Sequence, residues 1–558
     1  MSDDLLKNLS EAANDDEREW LVTKDLLDSL PENLQRVAYA ASIPHWFDSK
    51  VLSALCPDLT EQIENLLEQL SHLPFVESFK DRGFNIHEKT RKLILDHFWV
   101  EDQDKYIAVS KAAENYFDNA IKASSEIANN QIKKLKDEIK EEDILQQKIQ
   151  EWIDNNRKAL QGFDPQYQIE RIYHLVIADP EQGADAIWQQ GVEWHDEFDY
   201  TYATLTSFIK AIHEHIDNGR VKDRAKYWVL YWEGVVASKQ YQYLNAKKIF
   251  NHLMSFVSKD NRLWAMANED LGDVHNQLSE LPEARARYEE ALPLYRAIGA
   301  KIGEANCIKA LGDVHNQLSE LPEARARYEE ALPLYRAIGE KIGEMYTILN
   351  LADVASKEKK FDLAIQLAES TIETAKKISP SNVASAFNNL ANIYEKKKDY
   401  PKAIEFYTKA MEIFTGSQAY MIRNRANVYL KMADAENAEK DIVRAEQIQP
   451  NNPFLFLRKG ELANLKGNFE EAIIFFMKAI DIIPRFSGAF FGIGMSNLRA
   501  GKIQEAKISY QQGLSFTDAV DELEDTIEEL EKLKSRQPSL LGVDDILEML
   551  KTWKPDKK

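Results

Sequence analysis

From about residue 230 onward the apolar positions keep one spacing: a small residue, a second small residue twelve positions later, and an aromatic or apolar residue four further on. A third small residue commonly follows three positions beyond. The series opens with Gly234, Ala246 and Phe250 and continues through Gly272, Ala284, Tyr288, Ala291 and Gly312, Ala324, Tyr328, Ala331. It then runs through Ala352 with Ala364; Ala391, Ala403, Tyr407, Ala410; and Ala426, Ala438, Ala445, Pro450. Gly460, Ala472, Phe476, Ala479, Pro484 and finally Gly494, Ala506, Tyr510 complete it. Two antiparallel helices approach closely only where the side chains between them are small, and the aromatic fills the hole between successive pairs. The spacing predicts eight helical hairpins over residues 226–515. Residues 271–299 recur unchanged at 311–339, a period of 40, whereas the later step is 34 and Pro450 and Pro484 close their second helices. Such a unit cannot bury its apolar face alone, so neighbours must stack into a solenoid.

This pattern resembles the tetratricopeptide repeat (TPR), which implies an all-α superhelical solenoid whose first helices line an inner, protein-binding face. After it, TDAVDELEDTIEELEKLKSRQP predicts a polar-faced capping helix and PSLLGVDDILEMLK a further short helix packed on the last repeat, within a C-terminal region 516–558.

Upstream the grammar changes. After an N-terminal extension over 1–24, residues 25–110 place Leu34, Val37, Ala38 and Ala41 on one helix, Val51, Leu52 and Leu55 on a second, and Ile63, Leu66, Leu67 and Leu70 on a third. FVESFKDRGFNIHEKTRKLILDHF then predicts strand, turn at Gly83, strand and helix. PENLQRVAYAASIPHWFDSKVLSALC followed by GFNIHEKTRKLIL resembles the winged-helix module that lies between the ATPase and the repeats of bacterial STAND proteins. Residues 111–225 predict a charged helical bridge ending in degenerate repeats.

Composition narrows the function. The net charge is −22, and residues 1–110 carry 22 Asp/Glu against 11 Lys/Arg, a surface that repels phosphate backbones. Cys56 and Cys307 are the two cysteines, too few and too far apart for a disulfide frame or a zinc site, and no stretch has the roughly 18 apolar residues of a membrane span. The N-terminus carries no basic segment followed by an apolar one, so the expected location is the cytoplasm.

Candidate chemistry is sparse. In STAND ATPases the winged helix presents a His-Asp pair to the nucleotide, and the resemblance places His87 and Glu88 at that pair. No GxxxxGK[ST] loop occurs, however, and a histidine at a strand-to-helix turn followed by a helix-favouring Glu accounts for the two residues. LTEQIENLLEQLSHL, the helix a winged helix would offer to DNA, carries Glu61, Glu64 and Glu68 and neither Lys nor Arg. His213, Glu214 and His215 are too close in sequence to share a helical face as metal ligands and are expected to be solvated. Cys307 sits where a small buried residue is wanted. No catalytic residue, cofactor site or metal site is predicted, and the chain is expected not to be an enzyme.

The inner face carries the functional expectation. Mapping first-helix positions near each small anchor gives Lys309, Asp313, Asn316, Gln317, Asp353, Asn388, Asn392, Arg423, Asn427 and Lys431. Asparagine side chains can hydrogen-bond both the N–H and the C=O of an extended peptide, so such a ladder suits main-chain recognition. Leu349 interrupts it and predicts an apolar contact or a buried rung. Co-chaperone TPR domains hold a C-terminal carboxylate with a five-residue clamp, to which Asn392, Asn424 and Arg458 correspond, while Asn388 and Phe454 stand where the clamp has lysines. The expected function is a protein-binding scaffold or adaptor, regulatory or sensory in a prokaryotic signalling or defence system, with a protein partner, no membrane and no nucleic acid, and self-association open. The alternatives are a winged-helix transcription regulator, an inhibitor that sequesters a transcription factor or protease, and an enzyme with an unrecognised site. Purified protein is expected to release no phosphate from ATP, which a phosphate-release assay checks.

Overall fold

The computed structural model describes residues 3–80, 82–139, 142–156, 160, 164–196, 202–259, 261–414, 418–517 and 523–554. The fold is nearly all α, and the chain forms two compact units, the division falling after Trp232.

The first unit opens with α1 (Asp3–Glu11), α2 (Asp15–Asp28), α3 (Glu32–Ser42), α4 (Ser49–Leu55), a 3₁₀ turn (Pro57–Gln62) and α5 (Ile63–Ser71). A hairpin of β1 (Val76–Phe79) and β2 (Gly83–Ile86) leads into α6 (Glu88–Glu101). The strands pair antiparallel from Val76 with Ile86 to Phe79 with Gly83. Phe47 adds a bridge to the hairpin, its N–H donating to Phe84 O at 2.8 Å and its carbonyl accepting from Phe84 N–H at 2.9 Å. That approach requires glycine at 83, where φ is +89° and a Cβ would lie 2.5 Å from Phe47 O. The apolar positions read from the sequence converge as expected, with Leu34, Val37, Val51, Leu52, Ile63 and Leu70 buried in one core with Ile86 and Ile94.

The unit continues with α7 (Gln103–Glu138), α8 (Glu142–Asn155), α9 (Pro165–Ala178), α10 (Pro180–Asp196) and α11 (Ala203–Asp217). The expected boundary at residue 110 falls inside the 36-residue α7, whose Phe117 packs into the same core as α3–α5. Residues 140–141 and 157–159 of the expected charged helical stretch lie outside the described residues.

The repeats occupy α12 (Asp223–Lys239) with α13 (Tyr243–Phe256), α14 (Arg262–Gln277) with α15 (Leu281–Ala297), and α16 (Lys301–Gln317) with α17 (Leu321–Ile338). They continue through α18 (Lys341–Lys357) with α19 (Phe361–Ser370) and α20 (Ile372–Ile378), and α21 (Pro380–Lys396) with α22 (Tyr400–Ile413). The last three pairs are α23 (Ala419–Lys431) with α24 (Ala435–Ile448), α25 (Pro453–Lys466) with α26 (Phe469–Ile482), and α27 (Ser487–Arg499) with α28 (Ile503–Ser515). The second unit comprises the solenoid from Glu233 of α12 onward and two closing helices, α29 (Glu524–Arg536) and α30 (Val543–Thr552). Residues 518–522 of the predicted capping segment lie outside the described residues.

The small-plus-aromatic pattern is the packing itself. Tyr288, Tyr328, Tyr407, Phe476 and Tyr510 are all fully buried. A Cβ on Gly312 would come within 2.7 Å of the Tyr328 ring, and one on either Gly460 or Gly492 within 2.5 Å of Phe476, which fills the space between two successive first helices. Leu349 is buried, the rung its apolar character predicts. Neighbouring repeats are also laced by ion pairs that follow the sequence period: Lys247 to Glu280 at 2.7 Å, Arg285 to Glu320 at 3.0 Å and Arg325 to Glu358 at 2.7 Å. Being partly exposed, each contributes at most about 1 kcal/mol, so ring burial dominates. At the far end, Val543, Ile546, Leu547 and Leu550 of α30 cover Phe491, Tyr510 and Leu514 of the last hairpin.

Truncating Phe476 to Ala is expected to cost about 3–5 kcal/mol, since the glycines facing it leave no side chain to collapse into the hole. Urea unfolding followed by circular dichroism measures this.

Candidate protein-binding groove

The first helices of the repeats form the inner face, and two kinds of polar residue line it. One position after six of the eight small anchors stand Asp273, Asp313, Asp353, Asn392, Asn427 and Glu461. These residues first serve the fold. Tyr288 Oη donates to Asp273 Oδ1 at 2.6 Å and Tyr328 Oη to Asp313 Oδ1 at 2.7 Å, and Tyr407 Oη donates to Asn392. Phe476 has no hydroxyl, and in its repeat Glu461 instead pairs with Arg458 at 2.6 Å. These three buried phenols thus find their acceptors fifteen residues earlier in the sequence, whereas Tyr510, with Met495 at that place, has no partner for its hydroxyl among the described residues.

The remaining sequence-predicted groove residues divide by location. Lys309, Asp313, Asn316 and Gln317 come together on the wall of an open pocket of about 520 Å³. Asn276, Asn306, Asn350, Tyr335, Tyr346, Glu340, Gly343, Ile302 and Ile342 complete it. Its polar wall is cross-linked from rung to rung: Asn350 Nδ2 donates to Asp313 at 2.7 Å, Gln317 to Asn276 at 2.6 Å, and Asn316 Nδ2 to Asp353 at 2.8 Å. Its other wall is apolar, with Ile302 and Ile342 each close to half exposed. Sequence reasoning missed this wall. A signal existed, since the KIGE segment at 301–304 recurs at 341–344 and places an isoleucine at the start of two successive first helices.

In the later repeats the predicted residues are engaged within the chain. Asn427 Nδ2 donates to Glu395 at 2.8 Å and its Oδ1 accepts from Arg458 at 2.6 Å, while Asn424 lies 3.4 Å from Asn388. Lys431 is bonded to Glu395 at 3.1 Å and to Asp525 of α29 at 2.9 Å. Arg423 lies over the Phe454 ring at 5.3 Å, and burial lowers its pKa to about 10 despite the phenols of Tyr241 and Tyr243. Tyr241, in the turn of the first hairpin, donates to Gln449 at the end of α24 at 3.1 Å.

Helix α29 adds a second set of partners. Glu524 faces Lys359, and Glu528 receives two bonds from Lys398 Nζ at 2.8 and 2.9 Å. Lys398 and Lys532 hold the Glu528 carboxyl down at about 2, whereas burial beside Glu461 pushes Glu529 up to about 7.

The first unit holds a separate polar cluster, which corrects one expectation. Glu214 and His215 are not solvated: His215 is fully buried, stacked on Tyr173 at 3.9 Å with its Nε2 3.1 Å from the Tyr173 carbonyl. Helix α11 is enclosed by α9 on one side and reached by Arg91 of α6 on the other, so adjacent residues both point inward. Arg91 Nη1 donates to both Glu214 oxygens at 2.8 Å, and its Nη2 to Ile43 O and Tyr173 Oη. His45 spans the two carboxylates, with Nδ1 2.8 Å from Glu170 and Nε2 3.3 Å from Glu214. Burial opposes each of these charges. Glu170 nevertheless raises the His45 pKa, His45 and His174 depress Glu170, and Arg91 depresses Glu214 far below the carboxylate range. Burial keeps His174 and His215 below their ordinary value and therefore neutral at pH 7. The cluster fastens α3–α6 to α9 and α11. Cys307 is buried, where burial pushes its thiol pKa up, an environment for packing rather than nucleophilic attack.

Comparison with known proteins agrees with the repeat geometry. Residues 265–337 and 344–416 match one tetratricopeptide repeat family model and residues 455–486 another, so the chain contains tetratricopeptide repeats. A TPR repeat-containing protein of Methanocaldococcus jannaschii is 25% identical over 208 residues, 34% of this chain and 35% of that protein. Hsp70-Hsp90 organizing protein 3 of Arabidopsis thaliana is 35% identical over 100 residues, 16% of this chain and 18% of that protein. The matches thus span about a third or less of these relatives. Among solved structures, a Rap protein complexed with Competence and Sporulation Factor has 13% identity and a TM-score of 0.44, covering 62% of this chain and 99% of its own. A STAND protein with a tetratricopeptide repeat sensor from Pyrococcus horikoshii has 15% identity and a TM-score of 0.44, covering 86% of this chain and 67% of its own. Among the described residues, no helix is long and apolar enough to cross a membrane.

The His45 cluster sets a pH window. Glu170 and Glu214 are depressed in the folded chain, so their stabilisation is present above the ordinary carboxylate value of 4.5 and is lost as pH falls toward their folded values. His45 is raised, so its contribution is complete below 6.5 and is lost as pH rises through the folded value. Glu170→Gln, which leaves an imidazolium without its buried partner, is expected to cost about 3 kcal/mol near pH 6. Thermal melts of the two proteins from pH 3 to pH 9 test this, the variant also lacking part of the loss on the acid side.

Proposed function

We propose that this chain is a non-enzymatic scaffold or adaptor whose TPR groove holds a segment of a partner protein, acting as a regulatory or sensor subunit in a prokaryotic signalling or defence system. TPR proteins generally mediate protein–protein interactions, and the name of the Arabidopsis relative, an organizing protein for Hsp70 and Hsp90, is in keeping with that use. The observation that carries the reading is the open pocket on α14, α16, α17 and α18, with an amide-rich wall facing exposed isoleucines. That combination suits an extended peptide, whose main chain needs donors and acceptors and whose alternate side chains need apolar ground.

Residues 25–110, three helices followed by a strand pair and a helix, support reading that region as a winged-helix module. The rival role, a transcription regulator reading DNA through α5, is disfavoured by charge. Glu61 of the preceding 3₁₀ turn and Glu64 and Glu68 of α5 are all exposed and would face phosphates.

Affinity capture with the full chain from lysate of the source cells, quantified by mass spectrometry, tests the scaffold role. A specific partner is expected to be lost at least tenfold with a triple variant, Asn306→Ala, Asn316→Ala and Asn350→Ala, whose circular dichroism matches the parent. The exposed-surface variant Glu64→Lys is expected to retain it. Equal recovery by the groove variant, or salt-sensitive binding to duplex DNA, would overturn the proposal.

A further inference from the structure

In five successive repeats the residue three positions before the small anchor is Glu269, Lys309, Leu349, Asn388 and Arg423, one row along the first helices. The row settles its charges repeat by repeat. Glu269 accepts from Tyr295 Oη at 2.5 Å, Lys309 is answered one helical turn later by Asp313 at 2.9 Å, and Leu349 is buried and apolar. One turn after Arg423 stands Asn427 in place of an acid, and its side chain is already given to Glu395 and Arg458. The carboxylates of the adjoining repeats are spent as well, Glu395 on Lys431 at 3.1 Å and Glu461 on Arg458 at 2.6 Å. Arg423 is left with neither a hydrogen bond nor an ion pair among the described residues.

In a chain of net charge −22 that isolation is selective. Arg425, two residues on, is gripped by both oxygens of Asp441 at 2.7 and 2.8 Å. Arg423 lies over the Phe454 ring at 5.3 Å, a contact that uses the face of a guanidinium and leaves its N–H edge free. The residue is partly buried, yet its nitrogens are not among the sealed, unpartnered side-chain atoms, so a ligand can reach them. The titratable groups facing it are the phenols of Tyr241 and Tyr243 and the Arg458 guanidinium, and none is a carboxylate. Its neighbours in adjoining repeats also hold unspent donors. Arg458 makes both of its bonds through Nη1, leaving Nη2 and Nε unbonded among the described residues. Asn388 accepts from Asn424 at 3.4 Å while its own amide N–H groups stay unbonded. Unspent donors on α21, α23 and α25, two of them guanidinium groups, suit an anion.

We propose that this stretch of α21, α23 and α25 binds the side-chain carboxylate of an aspartate or glutamate in an acidic partner segment. Arg423 is its main ligand, through the paired N–H groups of the guanidinium edge, and Arg458 and Asn388 supply further donors. The chain's own acidic helix does not fill the role, since Asp525 and Glu528 of α29 go to Lys431 and Lys398. Nor is the stretch a clamp for a chain terminus, because Asn388 and Phe454 replace the two lysines such a clamp uses. The proposal rests on the scaffold reading and adds the charge of the segment held beyond the amide-lined pocket.

Fluorescence anisotropy with the full chain tests it, using labelled hexapeptides of alternating leucine with glutamate, glutamine or lysine. All are amidated at the C-terminus, so that side chains hold the only carboxylates. The glutamate peptide is expected to bind at least tenfold tighter than the isosteric glutamine peptide. Arg423→Gln is expected to erase most of that difference and to leave the affinity for the glutamine peptide unchanged. The net charge of the chain favours the lysine peptide at long range, so a glutamate preference that persists in about 0.15 M salt has a local origin. Arg423→Gln removes no hydrogen bond or ion pair, and the melting temperature of the free protein is expected not to fall. A fall, together with loss of all three peptides, would mark Arg423 as a structural residue and overturn the inference. So would a glutamate preference that survives Arg423→Gln. If the glutamate and glutamine peptides bind equally, the groove reading stands and the charge preference alone falls. If a glutamine peptide with a free C-terminus binds where its amidated form does not, the ligand is a chain terminus and the side-chain assignment fails. Absence of binding by every peptide also sinks the inference, leaving the groove to be judged by the capture experiment.

Discussion

The repeat architecture depends on one steric fact: in six of the eight repeats an aromatic ring from the second helix occupies a gap that exists only because the first helices carry glycine or alanine at the crossing. Gly312 with Tyr328 and the Gly460, Gly492 pair with Phe476 show how little space remains, since even a methyl group would collide with the ring. Dispersion and burial at that spot are large for their volume, and they fix the tilt at which the next hairpin is laid down. At Tyr288, Tyr328 and Tyr407 the hydroxyl draws an acceptor onto the inner face. Asp273, Asp313 and Asn392 therefore act as structural anchors before they act as lining, and groove chemistry is partly dictated by packing chemistry.

That coupling explains the uneven state of the inner face. Identical repeats copy not only the ring and its glycine but the aspartate that satisfies it, so charge accumulates at the 40-residue period where the sequence is duplicated. Later repeats diverge to Asn392, Asn427 and Glu461, and cations enter at Arg423, Lys431 and Arg458. The chain closes this second region with α29, whose Asp525 and Glu528 bond Lys431 and Lys398. The first unit handles buried charge differently, setting Arg91 and His45 against Glu170 and Glu214 so that every ion meets its opposite. Such a cluster costs desolvation, which is acceptable where it ties separate helices into one body and each charge has a partner.

The helical hairpins, the buried Leu349 rung, the strand pair before α6 and the short helix covering the last repeat were all legible in the spacing of small and apolar residues. Periodicity reports the face a residue takes on its own helix, and packing along a solenoid is nearly local, so one dimension of information suffices. The site was half legible. Lys309, Asp313, Asn316 and Gln317 do share one wall, because they repeat on successive first helices, but Asn427 and Lys431 are consumed by neighbours that no spacing rule names. Glu214 and His215 resisted the reading for the same reason, being adjacent in sequence and both enclosed because α11 has packing partners on two sides.

The sequence by itself determined the repeat, its two periods and the identity of the rings and small residues that stack it, because those depend on contacts between elements adjacent along the chain. Only the tertiary structure decided which polar residues remain available. That turns on meetings between distant segments, Tyr241 with Gln449, α29 with three lysines, and Arg91 with Glu214. Hydrogen-bond acceptors and charges are satisfied by whatever the fold brings within reach, and reach in space has no period in sequence.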